Sequence, residues 1–598
     1  MKETDKIQNA SGYARLLAFG SSLITLAINP ILSYDPINLI KMLCLSTLSV
    51  ALIPFAFQNR NVLKKLPKWI LICVILFVTS LIISFLHSPA EFASKFWGVW
   101  GRSTGLLTYL CYITLFLISY ILSTEVNSSN IILKTFSRTS YFITLYTLLQ
   151  FLKSDPINWS QKQMVATLGN VNFMSGFLGL AGIYFICQLL VVKKIPLLSK
   201  MHYLFFLQLN IFLIWQSGSI QGLGVILVGL TSVLLRKIYL ARSLTTFFVS
   251  FLATLTFGVV GFLGIAGMGP FGGVLSQETV RFRIDYWQAG AEMTLRNPFF
   301  GIGIDQYGDY YREYRDLNST FNNGLDEFKG VSRVSNTAHN VFLDVSSGSG
   351  VLPGLLLFLL VIGIFIKVFT GKSLTSNSNL TIKDSYHEIT CHLSVGWIFF
   401  MLISIGQIGI MIWGFIFLGI TCGALSKTWT KVKLSQWEIK KSESHNLLWT
   451  RARKKFKSND SQNSSRFTAP HILRIFIFML LGMILSIFPN IADMRFLAAA
   501  RNNDKVLMHS LAISFAGNDF YRGKLLERYI ETGDYDEALS FARFMLKVNP
   551  RNSQALLAVV LAPSSTREEK IQAVLVLRQL DPYNGYQQKL LDAYLFGR

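Results

Sequence analysis

Charge is scarce in this chain. Only 15% of its 598 residues are Asp, Glu, Lys or Arg, against about 25% in an ordinary soluble protein. That shortage excludes a typical water-soluble enzyme. Acidic residues are the scarcer sign: 33 Asp and Glu stand against 56 Lys and Arg, a formal net charge of +23. In a polar protein such an excess suggests nucleic acid. In a chain that is 51% hydrophobic it reads instead as the Lys/Arg bias of loops on one side of a membrane, and no nucleic-acid partner is expected. Cysteine is also sparse. The six (Cys44, Cys73, Cys111, Cys187, Cys391 and Cys422) lie in or beside apolar runs without ligand spacing, which argues against a disulfide framework and a zinc site. Aromatic content of 13% excludes a disordered or collagen-like chain. What the sequence has in abundance is long apolar runs, and the fold class is an all-α polytopic membrane protein.

A helix needs roughly 20 apolar residues to cross the hydrocarbon core. Such runs recur from residue 15 to about 425, with one more at 471–489, and predict about thirteen spans. The first run lacks a signal-peptide cleavage pattern and reads as a retained helix. Basic short loops carry Arg60, Lys64, Lys65 and Lys68, then Lys193, Lys194 and Lys200, then Arg236, Lys237 and Arg242. The alternate connections are poorer in Lys and Arg. That pattern places the N-terminus and the basic loops in the cytoplasm. The block Lys427–Arg466 holds eleven Lys and Arg against three acids and reads as a cytoplasmic loop, either a topological anchor or a binder of anionic lipid.

Two segments are polar and fall outside the membrane: the loop 270–338, between the ninth and tenth spans, and the tail 490–598. The resulting division is a membrane domain 1–425, a basic cytoplasmic loop 426–470, an extra span 471–489 and an external helical domain 490–598. In the tail, Gly533-Asp-Tyr535-Asp-Glu-Ala538 followed by Pro550 matches the second half of a tetratricopeptide repeat, and Glu568 to Pro582 repeats the pattern at shorter spacing.

Topology singles out one histidine of eight. His339 closes the external loop where the chain re-enters the membrane. The same loop carries six arginines (Arg281, Arg283, Arg296, Arg312, Arg315 and Arg333) and only Lys329. Guanidinium grips phosphate oxygens through paired donors, as ammonium does not, so the loop suggests a lipid-linked phosphate or diphosphate. The plainer reading pairs these arginines with the loop's own acids, among them Asp285, Glu292 and Asp305. Two further elements lie on the same side: Trp97-Gly-Val-Trp100-Gly-Arg102-Ser-Thr-Gly105, and Gly169-Asn170-Val-Asn172 at the start of the sixth span. The two asparagines suit a sugar or phosphate, or simply a helix cap. Gly301-Ile-Gly303 lacks the context of a dinucleotide fingerprint.

Taken together, Arg283-Ile-Asp-Tyr-Trp287, Asn297-Pro298-Phe-Phe-Gly301-Ile-Gly303, Ala338-His339-Asn340 and Leu343 resemble the signature of O-antigen ligases. That superfamily also includes Wzy-type polysaccharide polymerases and O-linked protein oligosaccharyltransferases. Gly169-Asn170-Val-Asn172 resembles the family's Gly-Asn-Pro-Asn element, with Val171 in place of proline, and Arg102 with Gly105 resembles its Arg-x-x-Gly. The likeness covers about residues 70–425. Two positions depart from it: Gln163 stands where the family often has arginine, and Gly348 where it often has glutamate.

The resemblance implies transfer of a glycan from an undecaprenyl-diphosphate carrier to an acceptor hydroxyl, on the outer face of a bacterial cytoplasmic membrane. It implies no cofactor, and no metal site is legible in the sequence. Arg283 is expected to take the charge developing on the diphosphate, helped by Arg281, Arg102 and one of Arg312, Arg315 or Arg333. His339 is expected to act as general base, because its ordinary pKa of about 6.5 suits proton abstraction near neutrality. Attack opposite the diphosphate would invert the anomeric centre. Asn170, Asn172, Asp305 and Asn340 are expected at the substrate. The partners implied are the carrier-linked glycan, membrane lipids, and an acceptor that is a lipid-anchored glycan, a growing polymer or a protein. The rival class is a transporter or flippase, which should show inverted repeats and mid-membrane charges.

Overall fold

The computed structural model describes residues 9–160, 162–192, 195–241, 244–275, 278–317, 335–370, 385–423, 425 and 469–596. Every regular element among them is a helix. Nine long helices come first: α1 (Ala10–Leu26), α2 (Asn38–Ala51), α3 (Lys68–His87), α4 (Leu106–Ser123), α5 (Val126–Phe151), α6 (Val171–Leu190), α7 (Leu197–Gln216), α8 (Gln221–Ala241) and α9 (Leu244–Ile265). The loop contributes α10 (Glu278–Arg296) and α11 (Tyr307–Tyr314). The short α12 (Val341–Ser349) then leads into α13 (Val351–Phe369), α14 (Ser385–Ile403) and α15 (Ile408–Gly423). Last come α16 (Ala469–Arg501), α17 (Lys505–Ala512), α18 (Asp519–Glu531), α19 (Tyr535–Val548), α20 (Ser553–Leu561), α21 (Arg567–Leu580) and α22 (Gly585–Phe596).

Eight described helices are long and apolar enough to cross a membrane by length and composition: α2 with its continuation to Gln58, α3, α4, α6, α7, α8, α9 and α16. Two shorter apolar helices, Val351–Lys367 within α13 and Ile408–Gly423, join them. The expected number of about thirteen is reached when the less apolar α1, α5 and α14 of the same bundle are counted. Position in the bundle follows composition. Every residue of α15 is buried, as a helix hydrophobic all round should be. Its small residues admit close neighbours: a Cβ at Gly419 would meet the Phe116 carbonyl of α4 at 2.4 Å, the small-residue contact of helices packed in lipid. In α9, by contrast, Gly264 is the buried residue, so this helix presents its apolar side chains outward.

The extra span and the start of the tail are not separate elements. α16 runs unbroken through Pro489 for 33 residues, roughly 50 Å at 1.5 Å per residue. Its first half lies along α2, where Ser46 Oγ and Ser486 Oγ are 2.5 Å apart and Asn490 Nδ2 donates to the Leu39 carbonyl at 3.0 Å. Its second half gives Ala492, Phe496 and Ala499 to the core of the tail. From α17 to α22 each helix packs on the next. The repeat-like Gly533-Asp-Tyr535 forms the turn between α18 and α19, with Gly533 at φ +79°. The basic segment 426–468 lies outside the described residues.

The external loop is folded rather than a polar excursion. Ala289, Met293, Ile302, Tyr307, Tyr311 and Ala338 make a small core of their own, and α10 packs on α12. The tail closes over it. Arg551 pairs with Glu313 and Asn549 Nδ2 donates to Asp309 Oδ2 at 3.1 Å, while Arg522 Nη1 and Nη2 grip Glu91, in the connection between α3 and α4, at 2.6 and 2.7 Å. Loop and tail therefore sit on one side of the bundle.

Candidate functional site

Three distant segments converge on one cavity of about 250 Å³, lined by Arg102, Asn170, His339 and Gln407 among others. The first segment is the turn 97–105. Trp97 anchors it by donating Nε1 to the Leu485 carbonyl at 2.7 Å. Asp305 then holds it shut, accepting from Val99 N at 2.7 Å and from Thr104 Oγ1 at 2.8 Å. Gly98, at φ +99°, has no room for a side chain: a Cβ would lie 2.4 Å from Thr104 N and 2.7 Å from Asp305 Oδ2. The tight turn delivers Arg102 to the cavity within the fields of Asp305, Asp344 and Asp35.

The second segment is the N-terminus of α6. Asn170 is its cap, Oδ1 accepting from Asn172 N at 2.8 Å, so the capping reading holds while the residue also lines the cavity. Asn172 does something else. Its Oδ1 accepts from Ser219 Oγ at 2.8 Å, tying α6 to the turn before α8. Lys162 and Gln163, where the family often has arginine, are not among the residues that line the cavity.

The third segment enters α12. His339 occupies the left-handed region at φ +52°, costly for a residue other than glycine and common where surrounding structure holds a functional group in place. Asp344 fixes its approach, accepting from Ala338 N at 2.7 Å, and Asn340 caps α12 by accepting from Phe342 N and Leu343 N at 3.0 and 3.2 Å. Nδ1 of His339 faces the Thr337 hydroxyl at 3.3 Å and the Thr337 carbonyl at 3.4 Å. A proton on Nδ1 leaves the Nε2 lone pair free. The ring lies 5.1 Å from that of Tyr286.

Electrostatics correct one expectation. His339 does not keep its ordinary pKa: burial first, then the positive charges of Arg283 and Arg102, push it down to about 3. Both arginines therefore act on the histidine. Arg283 is buried and donates Nη2 to Gln221 Oε1 at 3.3 Å. Burial raises the carboxyls, Asp305 to about 6 and Asp344 to about 7, the latter pushed further by Asp305.

The other arginines disperse. Arg281 is exposed on α10. Arg312 donates to Ser553 Oγ at 2.9 Å and Arg315 is paired with Asp581 at 2.6 Å; both expected helpers are held by the tail. Arg333 lies outside the described residues. Among the described residues no group of three or more His, Cys, Asp or Glu is placed to hold a metal. Two site residues escaped the sequence reading. Gln407 lines the cavity, and its Nε2, like that of Gln221, is buried without a partner among the described residues. The only local signal was a polar Gly406-Gln407 interrupting an apolar run.

The departure at Gly348 has a physical cause. α12 packs backbone to backbone on the Gly301–Gly303 loop: Gly303 N donates to the Gly348 carbonyl at 3.0 Å, and a Cβ on Gly348 would meet the Gly303 carbonyl at 3.1 Å.

Residues 202–359 match the family model described as O-Antigen ligase, a span that includes Arg283 and His339 but neither Arg102 nor Asn170. No curated protein matches the chain.

Proposed function

We propose that this integral membrane protein, which carries an O-antigen ligase domain in residues 202–359, moves a glycan from an undecaprenyl-diphosphate carrier to an acceptor hydroxyl. The observation that carries the reading is the single cavity shared by Arg102, Asn170 and His339, with Arg283 close enough to act on the histidine. Arg102 and Arg283 bind the diphosphate oxygens and the charge that grows on them as the glycosidic C–O bond breaks. The acceptor oxygen attacks the anomeric carbon from the opposite face, the diphosphate departs with the bonding electron pair, and the acceptor proton passes to Nε2 of His339. Inversion follows from that geometry.

The depressed pKa of His339 suits this order of events. Before the carrier binds, the imidazole is neutral and its lone pair is available. The diphosphate then offsets the two arginine charges, so the histidine becomes a stronger base when its substrate is in place. The buried amide nitrogens of Gln407 and Gln221 supply donors to the same region. Asp305 and Asp344 act through others, the first on the Arg102 turn and the second on the backbone before His339.

Ligase, polymerase and protein transferase differ in acceptor alone. The test is purified full-length chain in detergent with a carrier-diphosphate glycan and, in separate reactions, a lipid-anchored glycan, a second carrier-linked repeat and a Ser/Thr-containing protein. Product with one acceptor names the class, and no product with any of the three overturns the reading. We place the site, loop and tail on the outer face of a bacterial cytoplasmic membrane, with the N-terminus inside, on the Lys/Arg bias of the short loops. The tail is read as tetratricopeptide-like on its Gly533–Ala538 motif.

A further inference from the structure

The largest cavity described lies elsewhere, between the tail and the membrane domain. It has a volume of about 650 Å³, within the range of roughly 300–1,000 Å³ typical of ligand pockets. Its lining pairs aromatic rings with short polar side chains: Trp100, Tyr310 and Phe520 beside Asp309, Asn336 and Asn549. Trp100 of the membrane domain and Phe520 of the tail are stacked at 3.5 Å with their planes 2° apart, so each ring covers one face of the other and leaves its second face uncovered by this pair. Asn549 bridges two carboxylates, Asp309 of the loop and Asp519 of the tail, at 3.1 and 2.7 Å.

The chemistry of that lining is selective. Acids face the space, and Arg551, which also lines it, lies over one face of Tyr310 and is already paired with Glu313, so a phosphate or another polyanion is disfavoured. A purely apolar ligand would leave the spare acceptor positions of these carboxylates and amides shut off from water, at a cost. A polyhydroxylated ring satisfies both halves, its C–H face lying on an aromatic ring and its hydroxyls bonding carboxylate and amide oxygens. The cavity also shares walls with its neighbours. Gln306 and Asn336 line it and line a small cavity beside Asp305 and Asp344 as well, and Ile405 and Gly406 carry the lining on to His339 and Arg102.

We infer that the cleft between tail and membrane domain is an oligosaccharide subsite, holding a sugar chain whose reactive end reaches the His339 cavity past Gln306 and Asn336. This inference rests on the transfer reading for its direction, not for its chemistry. The sugar chain belongs either to the donor or to the acceptor. The tail, on this view, is a wall of the substrate channel.

The test is binding of free glycans to the purified full-length chain, followed by Trp fluorescence and calorimetry, with no diphosphate present. Two probes are used: the oligosaccharide released by mild acid from the cell's own carrier lipids, and the delipidated glycan of its own surface polysaccharide. One of them is expected to bind, identifying the donor or the acceptor as the source, and Asn336→Ala and Tyr310→Ala are each expected to weaken it about tenfold. Tyr310→Phe, which keeps the ring, should bind as wild type does and so controls for folding. Failure of both glycans to bind wild type overturns the assignment, as do unchanged affinities in both variants, or saturation by a Ser/Thr-rich acceptor peptide in place of either glycan. The two readings separate cleanly. Glycan binding without any transfer leaves the subsite standing and removes the transferase, whereas transfer without glycan binding does the reverse.

Discussion

Arg315 and Asp581, 266 residues apart in sequence, form an ion pair at 2.6 Å with side-chain exposures of 0% and 2%. The contact joins the external loop to the tail far from water. Removing one partner of such a pair leaves an uncompensated buried charge, typically at a cost of about 3–5 kcal/mol. Replacing both with apolar residues restores much of that loss. Asp581→Asn should therefore loosen the tail, seen as faster protease cleavage between loop and tail and a lower Tm. Arg315→Met with Asp581→Leu should recover most of the protection. Equal protease resistance in Asp581→Asn and wild type would show that the pair does not hold the two units together.

Asp344 and Asp305 predict a pH dependence with opposite signs for activity and stability. Burial raises Asp344 to about 7 and Asp305 to about 6. In the unfolded chain both are ionised above about pH 4, so between that value and about 7 the native state binds more protons. Their contribution to stability is thus fully present below about pH 4 and is lost as pH rises to 7. Activity should run the other way, because the ionised carboxylates fix the Arg102 turn and the His339 approach. We expect kcat/KM to fall, and Tm to rise, as pH drops from about 7 to 6. Asp344→Asn keeps an acceptor for Ala338 N without the charge. It should move the acidic limb of kcat/KM downward and raise Tm at neutral pH; an unmoved limb assigns the titration elsewhere.

The bundle and the heart of the site were legible because polar groups stand out in an apolar chain. Arg102, Asn170 and His339 each sit at the edge of an apolar run, and all three line one cavity. Arg312 and Arg315 bond to the tail instead, for a reason just as physical. Counting arginines within a loop says nothing of acids and hydroxyls brought to it by a distant tail, here Asp581 and Ser553. Gln407 and Gln221 were passed over because a single glutamine between apolar helices is a weak local signal, and its unsatisfied nitrogen exists only once the helices pack. The apolar run ends at residue 489, which the sequence division takes as the end of a span, whereas α16 continues through Pro489 to Arg501. The proline is accommodated within the helix, and the polar half that follows is one side of the tail's core.

Gly301 offers a test of the loop's dependence on backbone contact. It sits at φ +68°, and a Cβ there would lie 2.4 Å from the backbone of Gly348 and Ser349. Gly301→Ala meets both a disfavoured conformation and immovable backbone, so it should destabilise by at least the 1 kcal/mol or so lost when alanine enters a left-handed position. Because α12 positions His339, activity should fall together with Tm. A variant that folds with wild-type Tm would show that the loop moves away from α12 easily.

His339 bears the strongest prediction. It is the histidine of the cavity, held in a left-handed conformation and kept neutral by burial and two arginines. A positioned general base is typically worth about a hundred- to ten-thousandfold in rate. His339→Ala should lose transfer by that factor while retaining carrier binding, because Arg102 and Arg283 remain. Arg283→Lys should weaken transfer through loss of the paired donors, yet still keep positive charge beside the imidazole. The two variants therefore differ in binding: His339→Ala leaves the carrier Kd near wild type, and Arg283→Lys raises it. His509 provides the control. It lies in the tail, Nδ1 near the Tyr529 hydroxyl at 3.1 Å, so His509→Ala should transfer normally. Measuring folded yield, carrier Kd and single-turnover rate for each separates chemistry from packing. If His339→Ala is well folded and turns over at the wild-type rate, the proton goes elsewhere, and Asp344, with its raised pKa, becomes the group to test.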